Sequence, residues 1–311
     1  MSGDVKADSR LEKILRSGQF AVTGECGPPR GADPDVIREK CKLLKGKADA
    51  FNITDNQTSV VRMSSIASAV VMMQEGMEPV MQMVCRDRNR IAIQSDILGG
   101  AALGINNMLC LSGDHQKFGD HPQAKNVFDL DSMQLIQTVR RMRDEGKFLS
   151  GEDIKKPPKL FVGAAENPFA DPFEIRVPRL AKKVKAGAEF IQTQCIFNMK
   201  KFREWMKGVV DRGLHEKIFI LGGVTPFKSF GMARYMAKNV PGMDVPDELL
   251  ARMKDTPKEK QAEEGIKIAV ETIQELRQIQ GIAGVHIMAI EWEEKVGEIA
   301  EKAGLLPRPS V

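Results

Sequence analysis

Hydrophobic positions along the chain follow two alternating periods. Short apolar runs recur at 19–25 (QFAVTGE), 50–54 (AFNIT), 79–85 (PVMQMVC), 105–111 (INNMLCL), 159–165 (KLFVGAA), 189–195 (EFIQTQC), 217–223 (KIFILGG) and 284–290 (GVHIMAI). Each has the length and the polar or glycine-bearing boundaries of a strand. Between them, apolar residues fall three and four apart, as in SSIASAVVMMQEG, QSDILGGAALG, DLDSMQLIQTVRRMRDEG, VPRLAKKVKAGA and MKKFREWMKGVVDRG, which predicts amphipathic helices. Parallel strands need crossovers of about a dozen residues, and these intervals supply them. Eight such units in 311 residues predict an α/β fold, one (β/α)8 TIM barrel domain spanning 1–311. A doubly wound open sheet is the alternative, but no GxGxxG follows the first run.

Three segments fall outside the repeat. Residues 1–18 read as a helical extension, with Ser9 and Glu12 as a capping box, Leu11, Ile14 and Leu15 on one face, and Gly18 as its stop. A polar stretch, 115–129, follows the fourth run, and 241–265 adds a short helix before a long final one at 259–281. Long loops in a compact domain are usually functional or disordered. Asp33 and Pro34 open the helix whose face is Ile37, Cys41 and Leu44.

Composition narrows the function. The 42% hydrophobic content suits a full core, and 46 Lys+Arg against 42 Asp+Glu leave +4, too weak a bias to predict nucleic-acid binding. Cys26, Cys41, Cys85, Cys110 and Cys195 are scattered singly, which predicts reduced thiols and no disulfide scaffold or cluster held by this chain alone. The four histidines, His115, His121, His215 and His286, show no metal-ligand spacing, and His286, within an apolar run, reads as a core residue. No run is long enough to span a membrane, and the first residues are polar without an apolar leader core. The expectation is a cytoplasmic protein without metal.

Catalytic groups of such barrels sit at the C-terminal strand ends. Those ends carry Glu25, Thr54 and Asp55, Gln82, Gly113 and Asp114, Asn167, Gln192 and Gln194, and Thr225 to Phe230. Carboxylates and amides in one mouth suit a planar, hydrogen-bonding heterocycle. Glu25 lies between VTG and a Gly-Pro-Pro breaker, and an ordinary solvated loop acid is the alternative for it.

In this order and spacing, ECGPPRG, NIT, LSGDH, VKAGAEFIQTQCIF and GGVTPFKSF resemble the methylenetetrahydrofolate reductase family over roughly 19–305. The resemblance implies a flavin-bearing barrel that reduces 5,10-methylenetetrahydrofolate to 5-methyltetrahydrofolate. It assigns Glu25 as the general acid, Asp114 as the carboxylate beside the flavin, Gln194 and Phe230 as substrate contacts, Thr54 as a partner of the flavin pyrimidine and Lys183 as a phosphate contact. Gln82, Ser112, Gly113, Ala165 and Asn167 complete the cofactor-facing set. Four positions depart from the family pattern: Gln82 stands for histidine, Ser112 for arginine, Ala165 for tyrosine and Trp292 for arginine. FAD is therefore the first candidate and FMN the alternative, and Arg86, Arg88 or Arg90 of CRDRNR could replace lost phosphate contacts. Solvated loop charges are the alternative for those arginines, an Asx turn for Asp114, and helix-start packing for Phe230.

The closest look is to reductases of anaerobic one-carbon pathways, which implies an oligomer or hetero-complex. Electrons would come from NAD(P)H or an iron-sulfur partner subunit. Two other readings stay open: a pterin-binding methyltransferase barrel without redox chemistry, and a non-catalytic barrel subunit of a larger complex.

Overall fold

A computed structural model describes residues 5–240 and 242–311. Its strands are β1 (Ala21–Cys26), β2 (Ala50–Ile53), β3 (Pro79–Val84), β4 (Asn107–Leu111), β5 (Phe161–Glu166), β6 (Phe190–Cys195), β7 (Phe219–Val224) and β8 (Ile282–Ile287). They pair in parallel and in sequence order, and β8 returns to β1 through Ala21↔Gly284 and Thr23↔His286, closing the barrel. The α-helices are α1 (Arg10–Arg16), α2 (Asp35–Leu44), α3 (Ser65–Gln74), α4 (Arg90–Ala102), α5 (Ser132–Arg140), α6 (Arg176–Ala186), α7 (Met199–Asp211), α8 (Phe230–Asn239), α9 (Asp247–Asp255), α10 (Gln261–Leu276) and α11 (Lys295–Lys302). Each of the eight expected runs overlaps a strand, with β8 beginning two residues earlier than its run. The extra short helix is α9, whereas the helix that closes the chain is α11 rather than the long α10. The expected 129–146 helix changes pitch at Arg141–Glu145, a π turn that follows α5.

Side chains alternate in and out of a strand, so residues two apart share the barrel interior. The lower interior is apolar: Ala21, Ala50, Val80, Leu109, Phe161, Phe190, Phe219 and Leu221 pack together. The rings of Phe161 and Phe190 stack with centroids 4.9 Å apart. Gly163 makes room for this layer, because a Cβ there would meet the Phe190 ring at 2.2 Å. One step up the same strands the interior turns polar, with Thr23, Asn52, Gln82, Gln192 and His286, all buried. Function has its floor there.

The N-terminal helix plugs the bottom. Leu11, Ile14 and Leu15 of α1 join the lower layer with almost no exposure. Ser9 caps the helix by accepting from Glu12 N at 3.1 Å. The reciprocal half of the expected capping box is replaced: the Glu12 carboxylate turns to Lys6 N and Ala7 N at 2.9 and 2.8 Å, folding the preceding residues under the helix. Glu78, at the foot of β3, accepts from Arg10 N and Leu11 N and anchors the plug to the barrel. Because Ile14 is wholly buried in this plug, Ile14→Ala should cost about 2–4 kcal/mol through lost burial and a residual cavity. Urea unfolding checks it, and a cost below about 0.5 kcal/mol would mean that the plug adds nothing to the core.

Candidate active site

At the C-terminal strand ends the barrel opens into a cavity of about 230 Å³, whose lining includes Glu25, Asn52, Gln82, Glu166, Gln192 and His286. Gln194, Ala165, Asn167 and Met288 complete its upper wall, with Leu109 and Leu111 as its apolar side. The polar floor is one network. Asn52 Nδ2 donates to Gln192 Oε1 at 2.6 Å, and Gln192 Nε2 donates back to Asn52 Oδ1 at 3.0 Å, joining β2 to β6 across the barrel. Gln192 Nε2 also donates to Thr23 Oγ1 at 3.1 Å, and that oxygen lies 2.9 Å from His286 Nδ1. Burial pushes the His286 pKa down to about 4, so the ring is neutral at ordinary pH. It belongs to the core as expected, and it also forms part of the cavity floor.

Glu25, one residue before the end of β1, lies at the head of this cavity and is partly buried. Loss of water raises its pKa from 4.5 to about 7, the neighbouring Glu293 carboxylate adds to the rise, and Lys40 and a hydrogen bond from Gln57 oppose it. Lys40 is itself fixed, with Nζ 2.5 Å from Glu293 Oε1 and 3.0 Å from the Gly27 carbonyl. A carboxyl poised near neutrality can hold or release a proton within the working pH range.

Of the residues expected from sequence, Glu25, Gln82, Ala165, Asn167 and Gln194 come together on the cavity wall. Asn167 also fastens the wall, donating from Nδ2 to the Gly242 carbonyl at 3.1 Å and accepting from Phe169 N at 2.9 Å. Thr54, Ser112, Gly113, Asp114, Lys183 and Phe230 lie outside this lining. Thr54 is buried just past β2, and its Oγ1 has no partner. Ser112 and Asp114 are exposed on the loop after β4, with Gly113 between them at φ +90°. Phe230 opens α8, where its N–H donates to Gln261 Oε1 at 2.9 Å and Arg234 lies over its ring. Lys183 is buried against Glu166, its Nζ 2.7 Å from Oε2, while Glu166 Oε1 accepts from Asn167 N at 3.1 Å.

Asp55 likewise serves the framework. Its carboxylate accepts from Val84 N at 3.0 Å and Arg88 Nη1 at 2.7 Å. The CRDRNR arginines do not present free guanidinium groups: Arg86 pairs with Asp87, Arg88 with Asp55 and Asp96, and Arg90 with Asp129. In this arrangement their charges are met by the chain's own carboxylates. Residues missed from sequence are Asn52, Glu166 and Met288. Asn52 was legible from parity, since it is two residues before Thr54 and two after Ala50 on the inward face. Among the described residues no cluster of His, Cys, Asp or Glu could hold a metal ion, and no helix is long and apolar enough to cross a membrane.

Residues 10–304 match the family model described as methylenetetrahydrofolate reductase. The chain is 21% identical over 311 residues to a protein named probable methylenetetrahydrofolate reductase (NADPH) from Caenorhabditis elegans, covering 95% of this chain and 44% of that one. It is 24% identical over 241 residues to methylenetetrahydrofolate reductase 2 of Schizosaccharomyces pombe, covering 73% of this chain and 36% of that one. It thus spans less than half the length of these relatives. In fold it is similar to an uncharacterized protein from Clostridium thermocellum described as binding two copies of 5-methyl-5,6,7,8-tetrahydrofolic acid. The TM-score is 0.64 at 11% identity, over 95% of this chain and 98% of that one.

The raised Glu25 pKa has a thermodynamic consequence. Unfolding returns the group to about 4.5, so the folded state holds its proton more tightly and loses stability as pH rises from about 4.5 through 7. Glu25→Gln removes that loss. The variant should match the parent near pH 4 and exceed it above pH 7 by up to about 3 kcal/mol. Denaturant titrations at pH 4 and 8 measure it, and an equal difference at both would contradict the raised value.

Proposed function

The chain belongs to the methylenetetrahydrofolate reductase family, and from that membership we propose that it reduces 5,10-methylenetetrahydrofolate to 5-methyltetrahydrofolate in a flavin-dependent reaction, with Glu25 as general acid. The observation that carries this reading is a carboxyl at the head of the cavity whose pKa is raised to about 7. The methylene bridge between N5 and N10 of the folate accepts hydride poorly while its five-membered ring is closed. Protonation of N10 opens that ring and leaves an N5 iminium, a far better acceptor. With its pKa near 7, Glu25 can supply the proton this step needs at neutral pH, because burial first and the Glu293 carboxylate second disfavour its ionised form.

The cavity suits a planar heterocycle. Thr54 Oγ1 is buried without a partner beside the mouth, and an orphaned hydroxyl of this kind is costly unless a ligand atom meets it. Gln82, Ala165 and Asn167 would border the flavin ring, with Thr54 bonding its pyrimidine edge. When bound, the flavin supplies the hydride that the reduction requires. Asp114, on the loop after β4, would disfavour an additional negative charge nearby and favour a cationic substrate carbon. Gln194 keeps its amide nitrogen available for the pterin edge, its oxygen accepting from Cys195 N at 3.1 Å. Phe230 would stack on folate or nicotinamide after movement of the α8 start toward the mouth. Lys183, paired with Glu166, would meet the flavin phosphate only by leaving that carboxylate. FAD remains the first candidate and FMN the second, and chromatography of the acid-released cofactor distinguishes them.

Three outcomes follow. Purified protein, or protein reconstituted with FAD or FMN, should be yellow and bleach on reduction; colourless protein that takes up neither would sink the flavin reading. Glu25→Gln should keep its flavin and lose folate turnover by about 10²–10⁴-fold, and the parent rate should fall as pH rises above about 7. Turnover of the variant near the parent rate would remove Glu25 from the acid's role. For the electron donor, we propose NAD(P)H or a partner subunit carrying iron-sulfur centres, with the partner route the first expectation; the chain's own thiols are buried and scattered, so any such cluster would belong to the partner. Stopped-flow mixing of the flavin-loaded chain with NADH or NADPH tests this: bleaching at turnover rates would show that no partner is needed.

A further inference from the structure

Between the loop after β2 and the loop after β4 lies one saturated guanidinium. Arg86, just past β3, is 3% exposed. Its Nε and Nη2 grip Asp87 at 2.7 and 2.6 Å. Nη1 donates to Ser59 Oγ at 2.7 Å and to the Asp114 carbonyl at 3.0 Å, and Nη2 also reaches the Asn56 carbonyl at 3.3 Å. All five N–H groups of the fork are thereby used. The Arg86 backbone extends the contact: its N–H donates to the Ser112 carbonyl at 3.0 Å and its carbonyl accepts from Val127 N at 2.8 Å. One residue therefore holds both ends of the long loop after β4. Gly113 permits the approach, since a Cβ there would lie 3.1 Å from Arg86 Cβ and its φ is +90°.

The loop after β2 is held in a conformation that non-glycine residues rarely adopt. Asn56, Thr58 and Ser59 have φ of +44°, +53° and +59°, a costly cluster that persists only where surrounding contacts over-determine it. Ser59 Oγ lies 2.9 Å from the Asp114 carbonyl and 3.2 Å from that of His115, so it joins the same clasp. Between these residues, Gln57 turns its side chain to the Glu25 carboxyl.

We propose that Arg86 is a positioning residue that clasps the loop after β2 to the loop after β4, setting Gln57 against Glu25 and fixing the backbone of Asp114. The proposal rests on the reductase reading for its importance to catalysis. The clasp itself is measurable without turnover. Arg86 binds no external phosphate in this arrangement, because its charge is met by Asp87 and its donors by the two loops.

The test compares Arg86→Met and Ser59→Gly with the parent in unliganded protein. Glycine is at ease at positive φ, so the second variant removes the Oγ while relieving strain, and it keeps the test alive if the first fails to fold. Loss of a charge-assisted bond should speed amide exchange at Val127, whose N–H meets the Arg86 carbonyl, by about tenfold or more in Arg86→Met. In both variants the Glu25 carboxyl, followed by carbon-13 NMR, should titrate at higher pH, since Gln57 favours its ionised form. Glu293, Lys40, Cys26 and Cys195, the other ionisable groups facing Glu25, are unaltered in both. Arg86→Lys keeps the charge without the fork and should fall between parent and Arg86→Met. Parent-like exchange and titration in both variants would overturn the proposal. So would a loss of inorganic pyrophosphate binding in Arg86→Met with exchange unchanged, which would make Arg86 a phosphate ligand. Absence of folate turnover in the parent would strike the reductase reading and leave the exchange and titration results to judge the clasp.

Discussion

A carboxyl group that gives up its water must keep its proton or find a cation, and the site is organised around that choice at Glu25. Its end-of-strand position removes solvent, the nearby Glu293 carboxylate makes ionisation costlier, and Lys40 and Gln57 limit the rise. Burial dominates, and the result lies near neutrality. Lys40 cannot simply neutralise Glu25, because its ammonium is already held by Glu293 and the Gly27 carbonyl. Four elements meet in this balance: the end of β1, helix α2, the loop after β2 and the segment between β8 and α11.

The rest of the barrel makes that position possible. Its interior changes from apolar to polar within two residues along β1, β2, β3 and β6, so the plug of α1 and the stacked phenylalanines exclude water below while amides and hydroxyls line the cavity above. Asn52 and Gln192 satisfy one another across the floor, which leaves the upper groups, Gln82 and Gln194 among them, to face the cavity. Buried polar groups of this kind stiffen a site only when they are paired. The Thr54 hydroxyl, just past β2, is buried without such a partner.

Sequence periodicity carried the architecture because alternation with period two, interrupted by amphipathic helices, is a local signal. Glu25 and Gln194 were legible for the same reason, being inward positions at strand ends. What could not be read were pairings made by closure of the barrel or by loops from different strands. Asn52 and Gln192 are 140 residues apart. Arg86, Arg88 and Arg90 looked like free cations because the carboxylates and carbonyls they meet include some from loops distant in sequence. Glu166 escaped notice because the residue before it, Ala165, has the inward parity, and only the buried Lys183 draws the acid into the wall. The family resemblance supplied roles for Asp114 and Phe230 that the cavity lining alone does not.

The central claim is that Glu25 carries a proton at neutral pH. Carbon-13 NMR of the parent, with the side-chain carboxyls of glutamate labelled and Glu25 assigned by difference from Glu25→Gln, follows that proton directly. The account predicts one glutamate resonance that titrates near pH 7 and is missing from the variant. A Glu25 resonance titrating near 4.5, the value of a solvated glutamate, would contradict it.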